Sequence, residues 1–196
     1  MSDILSLVAS RICHDLISPI GAVDNGIELL GMTQRLSSPE MALIRQSTST
    51  ALTRIELFRL AFGVGGASPC PIGRLNNTLT AHLGDRKITL SIGVKDPTLS
   101  LAKRISLAAL CIETCLPRGG AVTIDRSPQD AGLFLTATGA IRLDTAPLWE
   151  LVTAGEPPAD LPRAADVHFL LLGDLLRTEG TTPALSIDTD VLTLAF

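Results

Sequence analysis

Two long apolar stripes at helical spacing fill the first third of the chain, and together they are still too narrow to enclose a core. From Ile4 to about Gly31, Ala9, Ile12, Leu16, Pro19, Val23, Ile27 and Leu30 recur every three or four positions, the period of one helix face. The break GMTQRLSSPE follows. In it Ser38 is a good N-cap, and Pro39 stands at the first helical position, where its missing N–H does no harm. A second stripe, Met41, Ile44, Thr48, Ala51, Ile55, Phe58 and Phe62, alternates spacings of three and four up to about Phe62, as in a coiled-coil seam. The pattern predicts an antiparallel helical hairpin. Each helix of a hairpin has one partner and a second face left open. The simplest completion is a second copy, a homodimer whose hairpins form a four-helix bundle across a two-fold axis.

The periodicity changes after GVGGASPCP, Gly63 to Pro71, which reads as a linker between a helical hairpin (1–64) and an α/β domain (65–196). Beyond it the chain predicts a helix from about Pro71 to Leu83, a strand KITLSIGV and an apolar helix from about Ser100 to Leu116. Strands AVTID and LFLTATGA follow, the loop between them marked by Ser127 and Pro128. WELVTAG closes a short helix, EPPADLP is a loop, and AADVHFLLLGDLLRTEG is a helix ended by Gly180. Strands TPALSID and VLTLAF finish the chain. The expected class is α+β: a hairpin, then an α/β sandwich with helices over one face of a mixed sheet.

Composition removes several functions. The 16 Lys and Arg stand against 20 Asp and Glu, a net charge of −4, so there is no basic footprint for nucleic acid or anionic lipid. No apolar run reaches the roughly 18 uncharged residues of a membrane span, and the N-terminus lacks the basic start and cleavage site of a signal peptide. A cytoplasmic protein is expected, with its cysteines as thiols. Cys111 and Cys115 lie one helical turn apart in an apolar run, with no His or Cys pair nearby. They read as core and not as zinc ligands, and no metal site is expected.

His14 does not belong to the first stripe. It lies two residues from Ile12 and two from Leu16, about 200° from each at roughly 100° per residue. Its own face carries Ser10, Arg11, Ser18, Gly21 and Asn25, together with Ile17. The small side chains there would let another protein approach closely, so Arg11, Ser18, Gly21 and Asn25 form a candidate docking face. Asp15 can hold the imidazole Nδ1–H, which fixes the tautomer and leaves Nε2 as the nucleophile. Pro19 cannot donate to the carbonyl of Asp15 and should kink the helix beside His14. A lone exposed histidine is an ordinary surface residue. An interior helical proline, unfavourable by about 3 kcal/mol, favours the functional reading. His82 and His168 read as structural. Gly119-Gly120 reads as a helix-to-strand turn and Asp24-Asn25-Gly26 as part of a helix, so neither is a phosphate loop.

His14-Asp15-Leu16 with Pro19 resembles the H-box of two-component histidine kinases, His-Asp/Glu-Leu-x-x-Pro. HDLISPIGAVDNGIELL, FRLAFG and LPRGGAVTI, in that order, resemble the ChpT-type histidine phosphotransferases of alphaproteobacteria over the whole chain. The resemblance implies a second domain similar to the ATP-binding domain of the kinases. There, paired Asn residues hold Mg²⁺, a DxGxG Asp reads adenine, and glycines admit phosphate. In this chain the corresponding helix SLAALCIETCL has no Asn, IRLDTAPLWELV keeps only Asp144, and EPPADLPRAADV has no glycine cluster. Asn76 and Asn77, on the preceding helix, read as capping or surface residues. No nucleotide site and no cofactor are expected, the Mg²⁺ of the reaction belonging to a partner receiver domain. The resemblance further implies that His14 takes a phosphoryl group from the receiver of a CckA-like hybrid kinase. It would then pass the group to CtrA-like and CpdR-like response regulators. Two rivals remain: an ATP-dependent kinase, against which the missing Asn and DxGxG argue, and a non-catalytic scaffold, against which the intact His-Asp-Leu-x-x-Pro argues.

Overall fold

The computed structural model describes the chain except residues 1, 34–37, 128–131, 157 and 159. Pro128 and part of the EPPADLP loop therefore lie outside the described residues, as do the side chains of Ala9, Ser10, Cys13, Leu30 and Ser38. Helices α1 (Ser2–Thr33) and α2 (Ser38–Phe62) pack along each other as the expected hairpin. Helix α1 runs unbroken through Pro19, which is buried, as is Gly26 one face-repeat further on. Leu57, Phe58, Leu60 and Ala61 at the end of α2 are buried too, but Ile17, Ile20, Ile27, Leu52 and Ile55 are exposed.

The remainder is α3 (Ile72–Gly84), β1 (Ile88–Ile92), α4 (Leu99–Cys115), β2 (Gly120–Arg126), β3 (Leu133–Thr138), α5 (Ala146–Thr153), α6 (Val167–Thr178), β4 (Ala184–Ile187) and β5 (Val191–Ala195). The strands form one sheet in the order β1-β2-β3-β5-β4. Only β1 and β2 are parallel, and α4 is the crossover that a parallel pair requires. Alternation decides which face is covered. Val122 and Ile124, Leu135 and Ala137, Leu192 and Leu194 point into the core, while Thr123, Phe134 and Val191 lie on the open face. Thr98 caps α4 by accepting the Leu101 N–H at 3.2 Å, and α4 is apolar nearly all round, the signature of a helix buried on most of its sides. It touches α2, α3 and α6.

The turn LPRGG joins α4 to β2 as expected. Gly119 has a φ of +87°, and a Cβ there would lie 2.5 Å from the Lys87 carbonyl oxygen, which leaves glycine as the fitting residue. Cys111 and Cys115 are wholly buried, and burial pushes both thiols upward. Cys115 Sγ accepts from Trp149 Nε1 at 3.3 Å, and Trp149 meets Phe169 edge to face at 5.2 Å. These contacts join α4, α5 and α6.

The stretch expected to be a linker is pinned along the start of α4. The Leu99 N–H donates to the Ser68 carbonyl at 2.9 Å, Ser100 to Gly66 at 3.1 Å, and Cys70 to Pro97 at 2.8 Å, while Lys103 Nζ reaches the Gly63 carbonyl at 2.9 Å. Glycine-rich composition lowers side-chain bulk, but backbone groups that become buried still need partners, and α4 supplies them. Packing also runs across residue 64, because Leu57, Leu60 and Ala61 of α2 belong to the same core as Leu75, Leu107 and Ile112. Two architectures share one interior.

His168 lies inside this core, 1% exposed, with Nε2 against the Thr114 hydroxyl at 3.2 Å. Burial, with a contribution from the Arg11 charge, lowers its pKa to about 3. Burial alone would raise the Glu113 carboxyl, but the His82 hydrogen bond and the charges of His82, Arg86 and Arg11 hold it at about 2. His82 and His168 are thus structural, as expected. Both shifts act in one direction: the fold refuses protons that the unfolded chain accepts, so stability is full at neutral pH and lost on acidification. Loss through His168 begins near its ordinary 6.5 and runs toward 3; loss through Glu113 begins near 4.5 and runs toward 2. Urea midpoints measured by circular dichroism should therefore fall below pH 6.5, and His168→Gln should flatten the part between 6.5 and 4.5. An unchanged slope in that variant would assign the effect to other groups.

Candidate functional site

Helix α1 places Arg11, His14, Asp15 and Ser18 on neighbouring positions, since residues three and four apart share a face. The His14 side chain is 84% exposed, and its Nδ1 lies 3.0 Å from Asp15 Oδ1. With Nδ1 engaged by a carboxylate, the tautomer favoured is Nδ1–H, and Nε2 keeps its lone pair. Asp15 itself is only 13% exposed at its side chain. Its second oxygen, Oδ2, accepts from Arg11 Nε at 2.8 Å.

Pro19 carries no N–H, so the Asp15 carbonyl one turn earlier loses its helical donor. The Arg54 guanidinium of α2, 39 residues away, donates to that carbonyl. The helix therefore continues through Pro19 without an orphaned acceptor, and α2 is tied to the backbone beside His14. Arg54 was not a candidate on the sequence alone. An interior proline implies that some other donor serves the carbonyl one turn back, and that implication, together with a basic residue beside the α2 seam, was the available signal.

Of the expected docking residues, Ser18, Gly21 and Asn25 are exposed along the helix that carries His14. Arg11 departs from that expectation. Its side chain is 17% exposed, and beyond Asp15 it donates through Nη1 to the carbonyl of Ala165, in the 3-10 turn Ala164–Asp166 that leads into α6. A long cation so close to a half-buried carboxylate turns toward it and away from solvent.

The three segments compared above with nucleotide-binding parts do come together. Glu113 and Thr114 at the end of α4, Arg142, and Arg163 with Asp166 line one polar cleft, joined by Arg11 and Arg86. Each arginine in it is paired: Arg86 with Glu113 at 2.9 Å, Arg142 with Asp144 at 2.7 Å, Arg163 with Asp166 at 2.8 Å, and Arg11 with Asp15 at 2.8 Å. His82 holds the other Glu113 oxygen at 2.8 Å. Among the described residues no cluster of His, Cys, Asp and Glu is arranged to hold a metal ion.

Residues 73–191 match the family model of the histidine phosphotransferase C-terminal domain. The protein phosphotransferase ChpT of Brucella abortus (strain 2308) is 32% identical over 180 residues, covering 88% of this chain and 86% of that protein. The chain belongs to the histidine phosphotransferase family. A solved bacterial phosphotransferase superposes with a TM-score of 0.81 at 26% identity, over 100% of this chain and 96% of its own. As a histidine phosphotransferase the chain takes part in a phosphorelay, so its chemistry passes through a histidine.

Removing Arg54 tests the repair of the helix. Arg54→Ala should destabilise by about 1 kcal/mol, the low end of the range for an acceptor left unpaired, since this bond is only partly buried. In a Pro19→Ala background, where a backbone N–H again faces the Asp15 carbonyl, the loss should shrink. Urea titrations of the four proteins give the coupling; equal losses in both backgrounds would place the role of Arg54 elsewhere.

Proposed function

We propose that His14 is the phosphoryl carrier and that Asp15 orients its ring. The supporting observation is an exposed imidazole whose Nδ1 faces the carboxylate of Asp15 at 3.0 Å. Nε2 attacks the phosphorus of an aspartyl phosphate in line, a P–N bond forms, and the P–O bond to aspartate breaks with the carboxylate leaving. The ring becomes a phosphoimidazolium, whose Nδ1–H stays hydrogen-bonded to Asp15. That carboxylate steadies the positive ring while the P–N bond remains labile for the return transfer to a second aspartate.

A phosphotransferase of this family works with receiver or response-regulator partners. In this proposal the donor is the receiver of a CckA-like hybrid kinase and the acceptors are CtrA-like and CpdR-like regulators, and the receiver brings the Mg²⁺. Ser18, Gly21 and Asn25 leave room for a receiver to approach His14. No described helix is long and apolar enough to cross a membrane, and a cytoplasmic setting suits such partners. The α/β half works without ATP. In support, α4 offers Glu113 and Thr114 to the polar cleft and no Asn, and Glu113 is a carboxylate held charged at low pH, which disfavours a phosphate chain. Arginines in the cleft are committed to carboxylates of the same chain.

The hairpin is completed by a second copy in a four-helix bundle. Ile20 and Ile27 of α1 and Leu52 and Ile55 of α2 are 57%, 57%, 62% and 43% exposed, and a run of apolar side chains left open along two packed helices marks an association surface. Sedimentation at micromolar concentration should show a dimer, and Ile55→Asp a monomer, since it would bury an unpaired charge. A monomeric parent protein would remove the bundle.

The chemistry is tested with a phosphorylated receiver domain. The parent protein should acquire an acid-labile, base-stable phosphate, His14→Gln should acquire none, and ATP alone should label neither. Full transfer by His14→Gln would end the assignment, and label from ATP would restore the kinase.

A further inference from the structure

We infer that Arg11 is a positioning residue for the phosphotransfer step and that through it the α/β half forms part of the site. This rests on His14 as the carrier. The two oxygens of Asp15 are divided between two partners: Oδ1 faces His14 Nδ1 at 3.0 Å and Oδ2 accepts from Arg11 Nε at 2.8 Å. A carboxylate is planar, so holding one oxygen fixes where the other points. Whatever holds Arg11 therefore sets the direction of the hydrogen bond to the imidazole.

Arg11 is held from outside the hairpin. Its Nη1 donates to the Ala165 carbonyl, 154 residues away, on a turn against which α1 packs. That turn is itself fixed. Asp166 is 4% exposed and pairs with Arg163 at 2.8 Å, and Val167 and Phe169, which follow it in α6, are wholly buried. An ion pair one helical turn apart, taken alone on a helix surface, is worth only a few tenths of a kcal/mol and does little to fix either side chain. The guanidinium fork removes that freedom, because one nitrogen is committed to the carboxylate and another to a backbone carbonyl of the core. The α/β half thereby acts as a brace for Asp15.

Arg11→Ala should slow transfer from a phosphorylated receiver by on the order of 10-fold, less than the 10²-fold lower bound for losing an acid–base group outright, with circular dichroism and receiver binding unchanged. Two readouts separate aiming from mere support. In ¹⁵N spectra of the free protein, His14 should move from the Nδ1–H tautomer toward a mixture in Arg11→Ala. In an Asp15→Asn background, Arg11→Ala should add little further slowing, because the carboxylate to be aimed is gone. Arg11→Lys keeps the charge and guards against a misfolded alanine variant. One ammonium cannot serve Asp15 and Ala165 together as the fork does, so it should shift the tautomer in the same direction by a smaller amount. Unchanged His14 spectra in both variants, or equal slowing with and without Asp15, would overturn the inference. The spectra need no phosphoryl transfer, so they judge Arg11 even if His14→Gln disproves the carrier.

Discussion

Pro19 has no N–H to give to the Asp15 carbonyl, and in the middle of a 32-residue helix an acceptor without a donor is a standing penalty. The arrangement around His14 follows from how that gap is closed. Because the donor comes from Arg54 on the other helix, the backbone at Asp15 is fixed to α2 as well as to its own helix. A side chain that starts from a doubly anchored backbone needs few further contacts to hold one direction. Asp15 has two, Arg11 and His14, while the imidazole stays open to a partner. Rigidity is spent on Asp15, and exposure is kept for the imidazole.

The polar cleft obeys the opposite logic. A phosphate site needs unpaired donors, whereas here Arg86, Arg142 and Arg163 are paired with Glu113, Asp144 and Asp166. Internal pairing removes the attraction for a polyanion and adds little to stability where the pairs are open to water. At its inner end, where Glu113 is 11% exposed at its side chain, the pairing also fastens α3 to α4. The cleft is joined to α1 through Arg11, so it and the surroundings of His14 are mechanically one.

Much of the architecture was legible because it is set locally. The three-and-four spacing of α1 and α2 reports a helical hairpin, and the alternation of Val122 and Ile124 or Leu192 and Leu194 reports burial, within a few residues of themselves. His14, Asp15 and Pro19 were legible for the same reason, being neighbours on one helix. What the sequence left unread is long-range. GVGGASPCP has the composition of a free linker, yet the hydrogen bonds from Cys70, Leu99 and Ser100 that hold it involve α4 and its approach, some thirty residues on. Arg11 shares a face with Ser18 on a helical wheel, but a flexible guanidinium follows its partners, and Ala165 lies 154 positions away. Arg54 answers a need created 35 residues earlier by Pro19, a need visible in the sequence although its remedy was not.

The common interior of Leu57, Leu60 and Ala61 with the helices on the sheet bears on how such a chain can change over generations. Where two domains meet only through a flexible tether, recombination can exchange one of them and leave the other folded. Here a crossover near residue 64 would separate apolar side chains of α2 from the surfaces shaped to receive them, and would part Lys103 from the Gly63 carbonyl. A change of volume in the sheet-covering helices at these contacts is felt in the hairpin. A lineage built this way diversifies by coordinated point substitution and is closed to the shuffling of parts.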